Sequence, residues 1–262
     1  MLTAGIDVGS LTAKAVVWDH AAAQVRGQSL LRMAHDPAAA GRRALDAALE
    51  QAGLAVTDLT ATTGTGYGRI ALESVDYRIT EISCHARGVH HVLPQAHTVI
   101  DIGGQDSKVM VLDDGGRALD FEMNDRCAAG TGRFLEVMAG ALGTDLSGLA
   151  ELALAATAPA SLSSTCTVFA ESEVISLLAQ GRDRADLAAG LCLAVAQRVV
   201  AMAQRLGLQP QVALTGGVAL NGAVREALQG LLGRPIAVPA DPQLTGALGA
   251  ALLAAERKIA ER

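Results

Sequence analysis

At 262 residues the chain is long enough for one large domain or two modest ones, with a sizeable core. Half of it is hydrophobic and 18% charged, the balance of a folded globular protein. The net charge of −6 and the 2% aromatic content argue against a nucleic-acid surface or a base-stacking platform.

In chain order, residues 3–8 and 13–18 read as two apolar strands around a glycine turn, and 24–33 as a third. Asp36 is a good N-cap, Pro37 suits a first helical position and Gly53 a helix stop, so a helix is expected across this stretch. A short strand at 59–63 runs into a glycine-rich loop at 64–68. A helix at 79–93 ends before Pro94. The plan then restarts, with strands at 99–102 and 108–112 and a hairpin turn at 113–116 leading into a strand at 117–123. Helices are expected at 132–142, 147–155, 169–180 and 186–206. A buried strand at 211–215 opens onto Gly216-Gly217, and helices at 221–232 and 244–260 flank a short strand at 235–238. No basic, apolar leader precedes the first strand. The longest uncharged run, 152–170, contains Pro159 and many Ser and Thr, so a cytoplasmic chain without a membrane span is expected.

The strongest signal is a repeat. Residues 6–14, IDVGSLTAK, match residues 100–108, IDIGGQDSK, without a gap, and share Ile, Asp, Gly and Lys at the same places. Glycine lets backbone N–H groups face a phosphate, and Ser10, Thr12 and Gln105 add side-chain donors. Asp7 and Asp101, at the two strand ends, are candidates to hold Mg²⁺ through water, because that ion gives up its waters reluctantly. Two hairpins that merely need glycine have no reason to share Asp and Lys as well. The expected architecture is a duplicated α/β protein of two lobes with a nucleotide cleft between them. Its boundaries are 1–95 for the first lobe and 96–243 for the second, with the helix of 244–262 packing back on the first.

A third turn, LTGGVALN at 214–221, joins a buried strand to a helix and suits close approach of a base and ribose. Together the three turns resemble the phosphate and adenosine motifs of the actin, Hsp70 and sugar-kinase superfamily, whose core is a ribonuclease H-like fold. No P-loop sequence is present. The resemblance implies nucleotide contacts from Gly9, Ser10, Leu11, Thr12 and Lys14, from Gly103, Gly104 and Gln105, and from Gly216, Gly217 and Asn221. Gln105 is the candidate to position the attacking water, with Asp7 and Asp101 organising the metal.

Cys127 in NDRCAAGTGRF and Cys166 in SSTCTVFAESE each precede a helix, where the dipole and free N–H groups favour a thiolate able to ligate metal. Their spacing is not a metal signature and by itself favours two buried structural cysteines, and two thiolates cannot complete a four-thiolate site. A symmetric dimer could supply two from each chain. The wording of both segments, together with GIDVGS, TGYGR, EISCHA, TVIDIGGQDSK, LTGGVA and GALGAA in order, resembles the activator component of 2-hydroxyacyl-CoA dehydratases. That family also includes the benzoyl-CoA reductase ATPase subunits. The resemblance runs essentially end to end. It implies a homodimer sharing one [4Fe–4S] cluster held by Cys127 and Cys166, with ATP and Mg²⁺ in each subunit. It also implies reduced ferredoxin or flavodoxin as electron donor and the dehydratase as acceptor. Leu11 departs from the small or hydroxyl residue usual in the first turn.

Three alternatives carry different expectations. They are an ATPase subunit of a benzoyl-CoA-type reductase, a cluster-free small-molecule kinase, and an Hsp70-like switch, for which no peptide-binding domain is evident. Cys84 and Cys192 read as core residues. His90, His91 and His97 have no acidic or Cys partner at metal spacing. Arg126 is either a surface residue or a docking contact.

Overall fold

The computed structural model describes residues 1–33, 35–162 and 166–261. Ser163, Ser164 and Thr165, which head the second cysteine segment, lie outside them. In chain order the chain forms β1 (Leu2–Val8), β2 (Thr12–Asp19), β3 (Gln24–Arg32), α1 (Pro37–Ala52), β4 (Ala61–Thr65), β5 (Tyr77–Arg78) and α2 (Glu81–Val92). It continues with β6 (Thr98–Ile102), β7 (Ser107–Leu112), β8 (Ala118–Asn124), α3 (Gly132–Ala141), α4 (Leu146–Leu154), α5 (Thr167–Ala179) and α6 (Arg184–Leu206). It closes with β9 (Val212–Thr215), α7 (Gly222–Leu232), β10 (Ile236–Ala237) and α8 (Thr245–Ala260).

The chain divides into two compact units. The first comprises residues 1–96, 112–119 and 243–262, and the second comprises 97–111 and 120–242. Each half of the chain builds a five-stranded sheet, of order β3-β2-β1-β4-β5 and β10-β9-β6-β7-β8. These are one topology used twice. β1 pairs antiparallel with β2 and parallel with β4. β6 pairs antiparallel with β7 and parallel with β9. The register repeats as well: Asp7 lies opposite Lys14 and Thr65, and Asp101 lies opposite Lys108 and Thr215.

Local chemistry accounts for the element ends. Asp36 accepts a hydrogen bond from the Ala38 N–H, Pro37 opens α1, and Gly53 closes it in the left-handed region at φ 66°. α4 and α6 start one and two residues earlier than the sequence pattern suggests, because Asp145 and Asp183 cap them. Two short 3₁₀ turns, Tyr67–Ala71 and Gly217–Leu220, carry no periodic signal and were not expected; nor was the two-residue strand β5.

In the second unit, Phe134, Leu135 and Met138 of α3 pack with Leu187, Leu191 and Val195 of α6 against Ile100 and Ile102 of β6. α6 is long and apolar enough to cross a membrane, yet 56% of its most apolar stretch is buried inside the protein, as a core helix requires. In the first unit, α2 and α8 cross at glycines. A methyl on Gly88 would strike the Thr245 carbonyl, and one on Gly249 the Cys84 carbonyl. This close approach brings the first turn of α8 beside the end of β1.

Candidate active site: two matched carboxylate turns

In the first unit Asp7 is buried at the C-terminal end of β1, and Lys14 Nζ reaches its Oδ2 at 3.0 Å. The turn after it is closed by the Gly9 N–H donating to the Thr12 carbonyl at 3.0 Å. In the second unit Asp101 holds the same place on β6. Lys108 Nζ lies 3.3 Å from Asp101 Oδ2 and 2.5 Å from Asp106 Oδ2, and the lysine side chain is 3% exposed. Here the Gly103 N–H donates to the Asp106 carbonyl at 2.9 Å. Each Asp–Lys pair spans adjacent strands directly opposite one another, where cross-strand charges meet.

The repeat extends to a third strand. Thr65-Gly66 ends β4 and Thr215-Gly216 ends β9, and the glycines adopt nearly the same backbone, φ 82° ψ −175° and φ 83° ψ 176°. That region is open essentially to glycine alone. In both units the glycine leans on the carboxylate: a methyl on Gly66 would lie 2.5 Å from Asp7 Oδ1, and one on Gly216 3.0 Å from Asp101 Oδ1. The Thr215 hydroxyl donates to Asp101 Oδ1 at 2.9 Å.

The second turn is also tied to the start of α3. The Gly132 N–H donates to the Gly103 carbonyl at 2.9 Å, and the Arg133 N–H to the Gly104 carbonyl at 2.7 Å. α3 therefore has turn carbonyls where a side-chain cap would stand, and Thr131 makes no cap bond. Space at Gly132 is tight, since a methyl would come 3.1 Å from the Gly103 carbonyl oxygen. Just upstream, Asn124 Nδ2 donates to the carbonyls of Cys127 and Ala129 at 2.9 and 3.0 Å, holding the cysteine loop to the end of β8.

The other expected site residues stand in the turns and at one helix start. Ser10 and Gly104 are half-buried, Leu11 is exposed, and Gln105 is exposed at the tip of the second turn. Gly217 opens the 3₁₀ turn after β9. Asn221 caps α7, its Oδ1 accepting from the Val224 N–H at 3.0 Å. Sequence reasoning missed Thr65, Gly66, His85, Asp106 and Gly132. The Thr-Gly dipeptide shared by 65–66 and 215–216 was a usable signal for two of them, and Asp106 comes directly after the matched IDIGGQ. Nothing local marks His85.

Cys127 is half-buried and Cys166 is exposed at the N-cap of α5, and both are free thiols in the second unit. Among the described residues no three His, Cys, Asp or Glu converge as a metal site. Cys84 and Cys192 are buried, and burial pushes both thiols up to about 12. A raised pKa keeps a thiol neutral at pH 8, with a thiolate fraction of roughly one in 10⁴. Iodoacetamide on the folded, iron-free chain is therefore expected to modify Cys127 and Cys166 and to spare Cys84 and Cys192. Peptide mass mapping checks this, and labelling of Cys84 at the Cys166 rate would contradict it.

A doubled sheet of this topology, with an Asp-Gly turn at the head of each copy, defines an actin-like ATPase. Within that fold the chain belongs to the BadF/BadG/BcrA/BcrD ATPase family, whose model matches residues 4–254. It is 50% identical over 256 residues to the activator of lactoyl-CoA dehydratase of Anaerotignum propionicum, covering 98% of both chains. It is also similar to the solved component A of (R)-2-hydroxyglutaryl-CoA dehydratase from Acidaminococcus fermentans, with TM-score 0.95, 45% identity and 99% of each chain covered. A third relative is the 2-hydroxyisocaproyl-CoA dehydratase activator of Clostridium difficile, solved with bound ADPNP, with TM-score 0.93 and 44% identity. There the match covers all of this chain and 97% of that one.

Proposed function

We propose that this ATPase is the activator of a 2-hydroxyacyl-CoA dehydratase, working as a homodimer that passes an electron to the dehydratase at the expense of ATP. Reduced ferredoxin or flavodoxin is the electron donor. Cys127 and Cys166 of each of two chains hold one [4Fe–4S] cluster, which when bound supplies low-potential one-electron transfer. The donor set fits: of the four free thiols these two are not buried, one exposed at a helix N-cap and one half-buried in a loop pinned by Asn124. Val168 and Phe169, shortly after Cys166, are 68% and 67% exposed, the kind of apolar surface a second chain would cover.

The glycine turns at Gly9 and Gly103 take the phosphates through backbone N–H groups, helped by Ser10 and Thr12. Gly216 and Gly217 accommodate the adenosine. Asp7 and Asp101 each already share Oδ2 with a lysine, so they suit Mg²⁺ held through water better than direct coordination. Gln105, exposed at its turn tip, orients the attacking water.

The observation that carries this reading is the pair of backbone hydrogen bonds from the first turn of α3 to the carbonyls of Gly103 and Gly104. A change at the phosphate turn reaches the residues after Cys127 through two peptide groups. Gly132→Val should break that link. ATP hydrolysis is then expected within about tenfold of normal, while ATP-dependent dehydratase activation falls by about a hundredfold or more. Equal loss of both activities, or of neither, would count against the coupling route. Anaerobic assays of phosphate release and of dehydratase turnover read the two arms.

A further inference from the structure

The two carboxylates are matched by sequence and strand register but are not held alike. In the second unit Asp101 is clamped on both oxygens, by Thr215 on Oδ1 and Lys108 on Oδ2. In the first unit Thr65 stands where Thr215 does, yet its buried hydroxyl lies toward the Cys84 thiol and does not serve Asp7. What the first unit has instead is a histidine. His85 on α2 is buried, and its Nδ1 lies 3.2 Å from the Thr245 hydroxyl at the start of α8. The other ring nitrogen, Nε2, and the Asp7 carboxylate both stand close to Gly246. A methyl on that glycine would stand 2.9 Å from His85 Nε2 and 3.1 Å from Asp7 Oδ2. The glycine crossing of α2 and α8 fixes both helices, and so both side chains, relative to β1.

We propose that His85 is a positioning residue of the ATPase site. Held by Thr245, it steadies the Asp7 carboxylate from Nε2, directly or through one water, and so replaces the threonine clamp of the second unit. Gly246, with no side chain, leaves room beside both groups. The inference rests on Asp7 serving phosphate chemistry, as proposed above.

Gly246→Ala is the sharpest test, because its methyl would crowd both groups at once, 2.9 Å from His85 Nε2 and 3.1 Å from Asp7 Oδ2. The expected result is a fall in kcat for ATP of about tenfold or more, with KM within about twofold and an unchanged thermal midpoint. His85→Ala should lower kcat similarly, and the double variant should be no worse than the poorer single one, since both remove one contact. His85→Gln, whose amide nitrogen reaches near the position of Nε2, should recover part of the rate. A normal kcat in both His85→Ala and Gly246→Ala would overturn the inference, as would fully additive losses in the double variant. If His85→Ala unfolds, Gly246→Ala decides alone. Asp7→Asn separates the two readings. Normal ATPase there removes the proposed role of Asp7, whereas loss there beside normal His85 and Gly246 variants removes only the role of His85.

Discussion

Cys127→Ser and Cys166→Ser are each expected to abolish iron binding. Purified without oxygen and reconstituted with iron and sulfide, the unmodified protein should carry about four irons per two chains with a broad visible absorbance, as a four-thiolate cluster does. Each serine variant leaves a shared site with two thiolates, too few to retain it. Iron and acid-labile sulfide assays, with the mass of the assembly in solution, give the readout. Because Cys166 is exposed and Cys127 only half-buried, neither in the core of the second unit, the variants should stay folded and keep nucleotide binding. A colourless, iron-free wild-type preparation with undiminished ATPase would sink the redox reading and leave an ATPase of some other purpose.

The second large effect concerns the paired glycines. Gly66→Ala and Gly216→Ala place a side chain in a backbone region that costs about 1–3 kcal/mol for any residue but glycine. They also drive a methyl against a neighbouring carbonyl, of Val8 or of Ile102, and toward Asp7 or Asp101. ATP hydrolysis is expected to fall by about a hundredfold or more in either variant, since a displaced carboxylate no longer organises the reacting groups. Gly53→Ala is the control. Gly53 also has a positive φ, 66°, but nothing lies within 4 Å of an added methyl. It should cost about 1–2 kcal/mol of stability and leave hydrolysis intact. Chemical denaturation beside steady-state ATPase separates strain from site damage. Equal activity losses in all three variants would show that strain alone is responsible.

Much of the candidate site was legible because its chemistry is local. An Asp, a glycine turn and a Lys opposite it on the next strand must appear as one short string, so the duplication at 6–14 and 100–108 announced both carboxylates and the two-sheet plan. The cysteine segments were legible as wording, not as spacing: 39 residues between two thiols specify no metal geometry. Element starts moved where a capping Asp outranked the apolar pattern, at Asp145 and Asp183. The 3₁₀ turns escaped because a single turn has no periodicity to detect.

The equivalence of Thr65-Gly66 with Thr215-Gly216 lies halfway between these cases. The dipeptides are short and 150 residues apart, so only the parallel pairing of β1 with β4 and of β6 with β9 makes them one feature. His85 lies wholly on the far side. It is 78 residues from Asp7 and 160 from Thr245, and it reaches the Thr245 hydroxyl and the neighbourhood of Gly246 because α2 and α8 meet at Gly88 and Gly249.

The sequence by itself determined the repeat, the strand–turn–strand heads, the carboxylates at their ends and the two thiols before helices, because each depends on residues a few positions apart. The tertiary structure alone decided which partners those groups have: a threonine clamp on Asp101, a histidine beside Asp7, and turn carbonyls capping α3. Those partners come from distant elements brought together by burial, and burial depends on the packing of whole faces rather than on any short run of residues.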